Sequence, residues 1–566
     1  MSLRHTPNNA STSWVLKCTD LPQFDALLAQ AARFGSDDKL HLRNLCNDSA
    51  RCTGLVTTHM CSSPQGIRKI ILDYSRQRIT GETMELLFDL ADAVKMTERR
   101  EAMRTGCRIN ATENRPVLHH VLRMPEQYPI YLRVEDHGPT HPPNLPQPES
   151  GPALLQQIHD CRKDIERFSE KVRSGTYTSV VGGLALDSVL CVSLAHGSHM
   201  GPAFVTEALQ ADATAHQAAQ NRRIRFLSNI DPVDFFQATH DLNPATTLVL
   251  VVSPTFADNE TLLVARTVQN WLFRGMTSQD ATLSLEKMVA RHMVAVSDNT
   301  IRCRQFGIAS ENIYPYFTVC GRYSLCAPAG ILPLSLHYSY AVVCDFLKGA
   351  HEMDEHFFHS PLYDNIPVIL GLLGIWNSTF LGYSCRALLP YSHALRLLPS
   401  YVQKIDMESN GKRVALDGTP LLHQSAEIDI GAVGTAAQHS WFQLLHQGRE
   451  IPVDFIGFME SQQAVDLPGE AVANHDELMS HFFAQPDALA YGKTLVDLIQ
   501  EGAPERLRSH MLFPGNRPSS SLLFTKLDAF CVGQLMAIYE HRTAIQGFVW
   551  GINSFDRVHC QTDQTN

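Results

Sequence analysis

The stretch "TLVLVVSPTFADNET" (Thr247–Thr261) decides the fold class. Its first residues are continuously apolar or β-branched, too short a run for a helix, and read as a strand buried on both faces. A polar Ser/Thr-rich turn follows, and then a helical segment. Such a junction often holds a phosphate, because backbone N–H groups and hydroxyls converge there and the helix N-terminus adds partial positive charge. Yet the second loop position is Pro254 and an acid, Asp258, stands near its end. The loop therefore raises two questions, where its cation is and what the acid does.

The same cadence of short apolar strand, polar or glycine loop and helix recurs in "SVLCVSLAHGSHMGP" (Ser188–Pro202) and "HMVAVSDNT" (His292–Thr300). Strands alternating with helical segments predict an α/β fold, with a mainly parallel sheet flanked by helices and ligands beyond the carboxyl ends of the strands. "SCRALLPYS" (Ser384–Ser392) and "VDFIGFME" (Val453–Glu460) repeat the pattern and predict a second α/β domain from about residue 336. The N-terminal part reads as helical. "TGETMELLFDLADAVKMTERREAMRTG" (Thr80–Gly106) places Met84, Leu86, Leu87, Leu90, Ala93 and Val94 on one stripe. A Pro-rich stretch, Gly138–Pro152, breaks periodicity and sets a boundary near residue 150. The expected division is 1–150 as helical region and linker, 151–335 as the first domain, and 336–566 as the second with a C-terminal helical segment.

Composition narrows the function classes. A chain of 566 residues exceeds what one core supports. A net charge of −11 without a long basic run argues against nucleic acid or an anionic membrane as partner. The greasiest segment, "PVILGLLGIW" (Pro367–Trp376), falls short of a bilayer span and reads as buried core. The N-terminal "MSLRHTPNNASTSW" lacks the apolar core of a secretory signal, and the 14 cysteines include no CxxC pair. A cytoplasmic protein with reduced thiols is expected.

Several collinear stretches together resemble the phosphoglucose isomerase family. They begin with "ILDYSRQRIT" (Ile71–Thr80), "ATENRPVLHH" (Ala111–His120), "SNIDP" (Ser228–Pro232), "GRYSL" (Gly321–Leu325) and "DMESNGK" (Asp406–Lys412). They continue through "GTAAQHSWFQLLHQG" (Gly434–Gly448), "GNRPSSSLLFTKL" (Gly515–Leu527), "IYEHR" (Ile538–Arg542) and "WGINSFD" (Trp550–Asp556). The resemblance implies two tandem sugar-isomerase domains and an aldose–ketose isomerisation through a cis-enediol(ate), on glucose 6-phosphate or a related sugar-like substrate. That chemistry requires a positioned base, an acid/base for ring opening and a cation for the developing oxyanion. By resemblance Glu408 is the proton-transferring base, Arg322 stabilises the enediolate, His439 opens the ring and Glu260 orients the imidazole. Apolar surroundings such as Met407 are expected to raise the basicity of Glu408. Taken singly, each residue also has a plain reading as a solvated charge, a structural ion-pair partner or a packed histidine. The resemblance further implies a homodimer, with His439 reaching the neighbouring subunit's site, and neither cofactor nor metal.

The departures gather where a substrate phosphate should sit. Ser253 and Thr255 match the family loop, but its lysine is Pro254 and its last phosphate-contacting threonine is Asp258. Proline supplies neither ammonium nor N–H, and an acid beside a dianion repels it. Each lost charged hydrogen bond costs about 1.5–3 kcal/mol, so weakened phosphate binding is expected. Gly197 and Ser198 persist between His196 and His199, Cys320 precedes Gly321, Lys404 replaces a glutamine, and Arg557 replaces another. Gln564 takes the place of the family's C-terminal catalytic lysine. Expected substrate contacts are therefore Gly197, Ser198, Ser253, Thr255, Lys404 and Arg557, the two cations receiving an anion from a new direction. Two other readings remain at this stage. One is a biosynthetic paralogue using the Glu/Arg/His set for tautomerisation, elimination or epimerisation of a different, possibly carboxylated, substrate. The other is a binding protein with a decayed site.

Overall fold

The computed structural model describes residues 16–129, 151–194, 197–317, 321–465 and 467–556. Its first sheet elements lie in the N-terminal region, where a helical reading had been expected. β1 (Val56–Ser63) and β2 (Gly66–Asp73) form an antiparallel hairpin around Pro64 and Gln65, and Gly66 supplies the positive φ of the turn. Helix α1 (Gly81–Ala93) then buries Met84, Leu87 and Leu90 as the apolar stripe requires. Lys95, in the left-handed region, breaks the stripe before a second helix begins at Met96.

After helix α2 (Gly151–Arg173) comes a five-stranded sheet of β3 (Ser188–Val192), β4 (Arg223–Leu227), β5 (Thr247–Val252), β6 (Met293–Val296) and β7 (Ile313–Tyr314). The order is β4-β3-β5-β6-β7 and every pairing is parallel. β3, β5 and β6 are buried along their whole length, which is why their sequences are apolar without alternation. Helices α3 (Met200–Leu209) and α4 (Asn259–Thr277) leave the carboxyl ends of β3 and β5.

The second sheet adds β8 (Cys385–Pro390), β9 (Ile428–Gly431), β10 (Val453–Glu460) and β11 (Ser519–Lys526), in the order β1-β2-β11-β10-β8-β9. β8, β9, β10 and β11 run parallel, and the N-terminal hairpin joins antiparallel through β2 and β11. Apolar residues from both sheets, among them Leu250, Leu388 and Ile456, share one continuous core. Its axis is a pair of helices, α5 (Tyr340–His359) and α7 (Ala529–Trp550), and every residue of α7 is buried. Two glycines set their closeness: a Cβ on Gly349 would lie 1.9 Å from the Phe530 carbonyl oxygen, and one on Gly533 2.0 Å from that of Phe346. Between them in sequence, α6 (Leu398–Asn410) leaves the β8 end and carries the "DMES" stretch toward the first sheet. The apolar segment around Pro367 is a fully buried helix (Ile366–Ile375), and no helix among the described residues is long and apolar enough to cross a membrane.

Candidate active site

The carboxyl end of β3 turns at Gly197, whose φ of +61° any side chain would resist. Ser198 follows, with its hydroxyl 3.0 Å from the Tyr316 hydroxyl. A short turn, Gly321–Tyr323, faces this bend from behind, and α6 closes the third side. Together Gly197, Ser198, Gly321, Arg322, Tyr401 and Lys404 line a small cleft. Gly197 also keeps room for a neighbour, since a Cβ there would come 2.8 Å from Lys404 Cε.

Two expected residues, 86 positions apart in sequence, meet at the edge of this cleft, Arg322 from its lining and Glu408 through its pairing with Arg322 and Lys404. The Arg322 Nη1 donates to Glu408 Oε1 at 3.1 Å. Arg322 itself is rigid and fully enclosed: Nε donates to the Ser409 hydroxyl at 2.6 Å, and Nη2 to the Ser554 and Asp556 carbonyl oxygens at 2.8 and 3.0 Å. Lys404, one helical turn before Glu408, places its ammonium on the other carboxylate oxygen, Oε2. The Glu408 carboxylate is therefore held between two cations rather than in apolar surroundings. Met407 points outward at 40 % exposure, which corrects the environment expected from the sequence.

Distant motifs are the frame of this arrangement. Asp406 accepts from Arg542 Nη1 at 2.7 Å and is paired with Arg386 Nη2 at 3.2 Å, which fixes α6 against α7. The last described residues close over Arg322: Lys412 Nζ lies 2.6 Å from Asp556 Oδ1, Thr112 donates to Asp556 Oδ2 at 2.7 Å, and Ser554 donates to Asn410 at 2.6 Å. Tyr323, whose hydroxyl is 2.8 Å from Ser409, stacks on His119. Thus "ATENRPVLHH", "DMESNGK", "IYEHR" and "INSFD" converge on one guanidinium and one carboxylate.

The loop quoted at the outset behaves differently. Ser253 is fully buried and its hydroxyl accepts from the Phe256 N–H at 3.1 Å, within its own turn. The Pro254 carbonyl accepts from the Asp298 N–H and the Ser297 hydroxyl, each at 3.1 Å, and Thr255 is exposed. Asp258 is the N-cap of α4. It accepts from the Thr261 N–H at 3.0 Å and from the Thr261 hydroxyl. The acid thus answers the helix's own unsatisfied donors, the task expected of an anion at that position. This replaces the picture of Asp258 as a charge aimed at a bound phosphate. Glu260, in the first turn of α4, and His439, just beyond helix Gly434–Gln438, are both exposed and do not line the cleft described above. His196, Cys320, Arg557, Gln564 and nearly all of the Pro-rich linker lie outside the described residues.

A model of the phosphoglucose isomerase family matches residues 73–561. The chain belongs to that family. It is 48% identical over 527 residues to a cytosolic glucose-6-phosphate isomerase of Oryza sativa subsp. japonica, covering 93% of this chain and 87% of the relative. A cytosolic glucose-6-phosphate isomerase of Arabidopsis thaliana is 48% identical over 520 residues, with 92% and 87% covered. The crystal structure of a glucose-6-phosphate isomerase from Chlamydia trachomatis superposes with a TM-score of 0.76 at 27% identity, covering 96% of this chain and 93% of that one.

Sequence reasoning passed over Ser409, Tyr401 and the carbonyls of residues 554 and 556. Ser409 lies inside the quoted "DMES" and was visible only as a neighbour of the base. Tyr401 stacks on Phe204 with centroids 5.1 Å apart, and its buried hydroxyl finds no hydrogen-bond partner among the described residues. Backbone carbonyls leave no mark in a sequence at all.

Proposed function

We propose that this chain is an aldose–ketose isomerase of glucose 6-phosphate that works by proton transfer through an enediol(ate). The observation that carries the reading is the Glu408 carboxylate at the cleft, 3.1 Å from a guanidinium that is itself fixed by a serine hydroxyl and two carbonyls. Glu408 takes the proton from C2 of the open-chain aldose and returns it to C1. The hydroxyl proton on O2 passes to O1, so the ketose forms with no net gain or loss of atoms or electrons. Arg322, permanently charged and preorganised, stabilises the oxyanion that develops in between. Lys404 and the Gly197–Ser198 bend receive the substrate's anionic end. Of the other residues expected to contact substrate, Ser253 keeps its hydroxyl within its own turn and Thr255 is exposed.

His439, exposed on its own chain, opens the sugar ring by reaching into the site of a neighbouring subunit in a homodimer, and Glu260 holds that imidazole in orientation. The relatives' names place them in the cytosol, and the same address is assigned here. The test is deuterium exchange at C1 and C2 of glucose 6-phosphate in heavy water, with Glu408→Gln as control. Exchange that disappears in the variant supports the reading. A folded wild-type protein that exchanges neither proton overturns it. Activity that falls on dilution, in step with dissociation seen by light scattering, tests the shared site; a fully active monomer would exclude it.

A further inference from the structure

Away from the cleft, β1 is the edge strand of the larger sheet, and its side chains alternate between solvent and the underlying helices. His59 and Cys61 stand two residues apart on the inward face, between exposed Thr58, Met60 and Ser62. Glu352 rises to meet them from α5. Its Oε1 lies 2.5 Å from His59 Nε2, and one ligand-capable atom from each of the three residues lies within 4.8 Å of the others. Among the described residues this is the one group of His, Cys, Asp and Glu side chains with such spacing.

We propose that His59, Cys61 and Glu352 form a binding site for a divalent transition-metal ion, Zn2+ by its donor set, with a fourth position left to water. An imidazole nitrogen, a thiolate sulfur and a carboxylate oxygen are the three ligand types that Zn2+ accepts, at about 2.0–2.3 Å. Tetrahedral ligands at those distances stand about 3.3–3.8 Å apart. The side chains therefore need only small rotations: the His59–Glu352 hydrogen bond opens and the sulfur closes in. Mg2+ and Ca2+ are disfavoured, because both prefer all-oxygen sets.

The surroundings fit ligand positioning. The Gln534 amide, from α7, donates to Glu352 Oε2 at 2.6 Å and to Cys61 Sγ at 3.3 Å, holding the carboxylate and the sulfur in place. The His356 ring packs against that of His59 with centroids 4.1 Å apart. Its own nitrogens are taken, Nε2 accepting from the Ile366 N–H and Nδ1 lying 3.0 Å from the Ser360 hydroxyl, so it orients His59 rather than competing for the ion. Arg68, directly across from Cys61 in the hairpin, is paired with Asp528. The His59 and Glu352 side chains keep 16 % and 20 % exposure, which leaves an entry path. A bound ion would displace the Cys61 proton and pin the edge strand to the central helix pair.

The full chain, stripped with chelator and kept reduced, is titrated with Co2+ and then with Zn2+. The expected result is one equivalent bound per chain and a thiolate-to-cobalt charge-transfer band that Zn2+ bleaches with submicromolar affinity. Cys61→Ser is expected to remove the band and His59→Gln to weaken Zn2+ binding more than about 100-fold, with Gln534→Ala losing roughly tenfold and keeping the band. Isomerase activity stays unchanged in all three, since none touches the cleft. Absence of the band in the wild-type chain overturns the proposal without recourse to any variant. So does a band that survives Cys61→Ser, which would place the ion on another of the 14 cysteines.

Discussion

Replacing Lys404 by glutamine tests the proposed anion contact separately from the proposed proton transfer by Glu408. The Lys404 ammonium is engaged with Glu408, the two side chains being 26 % and 14 % exposed. A partly exposed pair at (i, i+4) is worth about 0.5–1 kcal/mol. A charge-assisted hydrogen bond from the same ammonium to a substrate phosphate contributes about 1.5–3 kcal/mol. To make the second, Lys404 must give up the first, so the net contribution to binding is about 1–2 kcal/mol, or a rise of about 5–30-fold in KM for Lys404→Gln. Arg322 and Ser409 stay in place, so kcat is expected to change by less than threefold, about 0.6 kcal/mol. Initial rates over a substrate series in a coupled assay give both constants. An unchanged KM would refute the anchoring role. A fall of about 100-fold in kcat at constant KM would show instead that Lys404 acts on the reacting centre, because such a loss belongs to an interaction made only in the transition state.

Asp258→Ala is expected to cost about 1 kcal/mol of stability by denaturant unfolding and to leave KM unchanged, since the carboxylate caps α4; unchanged stability with a much lower KM would put the acid beside the substrate after all. Gly349→Ala is expected to destabilise by about 3 kcal/mol or more and to give poorly soluble protein, its Cβ landing on the Phe530 carbonyl. His292 supplies a pH prediction. Its Nδ1 donates to the Thr247 carbonyl at 2.8 Å while Nε2 accepts from the Val180 N–H at 3.2 Å, and burial pushes it down to about 4. Because the folded value lies below the unfolded one, the unfolded chain binds the extra proton. Stability from this residue is complete above pH 6.5 and is lost as the pH falls from 6.5 toward 4. Between pH 7 and 5 the loss is about 2 kcal/mol. It is measured as the pH-dependent part of unfolding stability that vanishes in His292→Gln, and equal slopes in both proteins would refute it.

Strands were legible wherever burial on both faces left an unbroken apolar run, as in Thr247–Val252 and Met293–Val296. The N-terminal hairpin was overlooked although Pro64, Gln65 and Gly66 mark its turn, because its alternation is carried by Thr, His and Cys rather than by strong hydrophobes. Arg322 and Glu408 were found through their motifs, but nothing in those motifs told that Lys404 would share the carboxylate or that Met407 would face water. Position on a helix turn decides both. Ser253 shows the opposite limit. A serine at a strand end reads the same whether its hydroxyl faces a ligand or its own backbone, and here it faces Phe256. Asp258 was read only against a bound phosphate, although an aspartate immediately before an apolar-periodic helix is itself a helix start signal.

The two answers from the opening loop belong together. With proline in place of a cation and an aspartate on its helix donors, the end of β5 has the hydrogen bonding of an ordinary strand-to-helix turn. On the proposed reading, the charge that an anionic substrate requires stands instead on α6, at Lys404, one turn before Glu408. That position has a mechanical consequence which a loop lysine would lack. Lys404 can hold Glu408 or an incoming anion, and its side chain lies against Gly197, where a Cβ would come 2.8 Å from Cε. A substrate bearing the anion draws the ammonium away and leaves Glu408 with Arg322 alone, so binding and exposure of the base become one event. A neutral sugar lacks that lever. The discrimination between glucose 6-phosphate and glucose is therefore predicted to reside largely in Lys404, and Lys404→Gln should narrow it by more than the factor by which KM rises, because the neutral sugar then meets a Glu408 already free of its lysine.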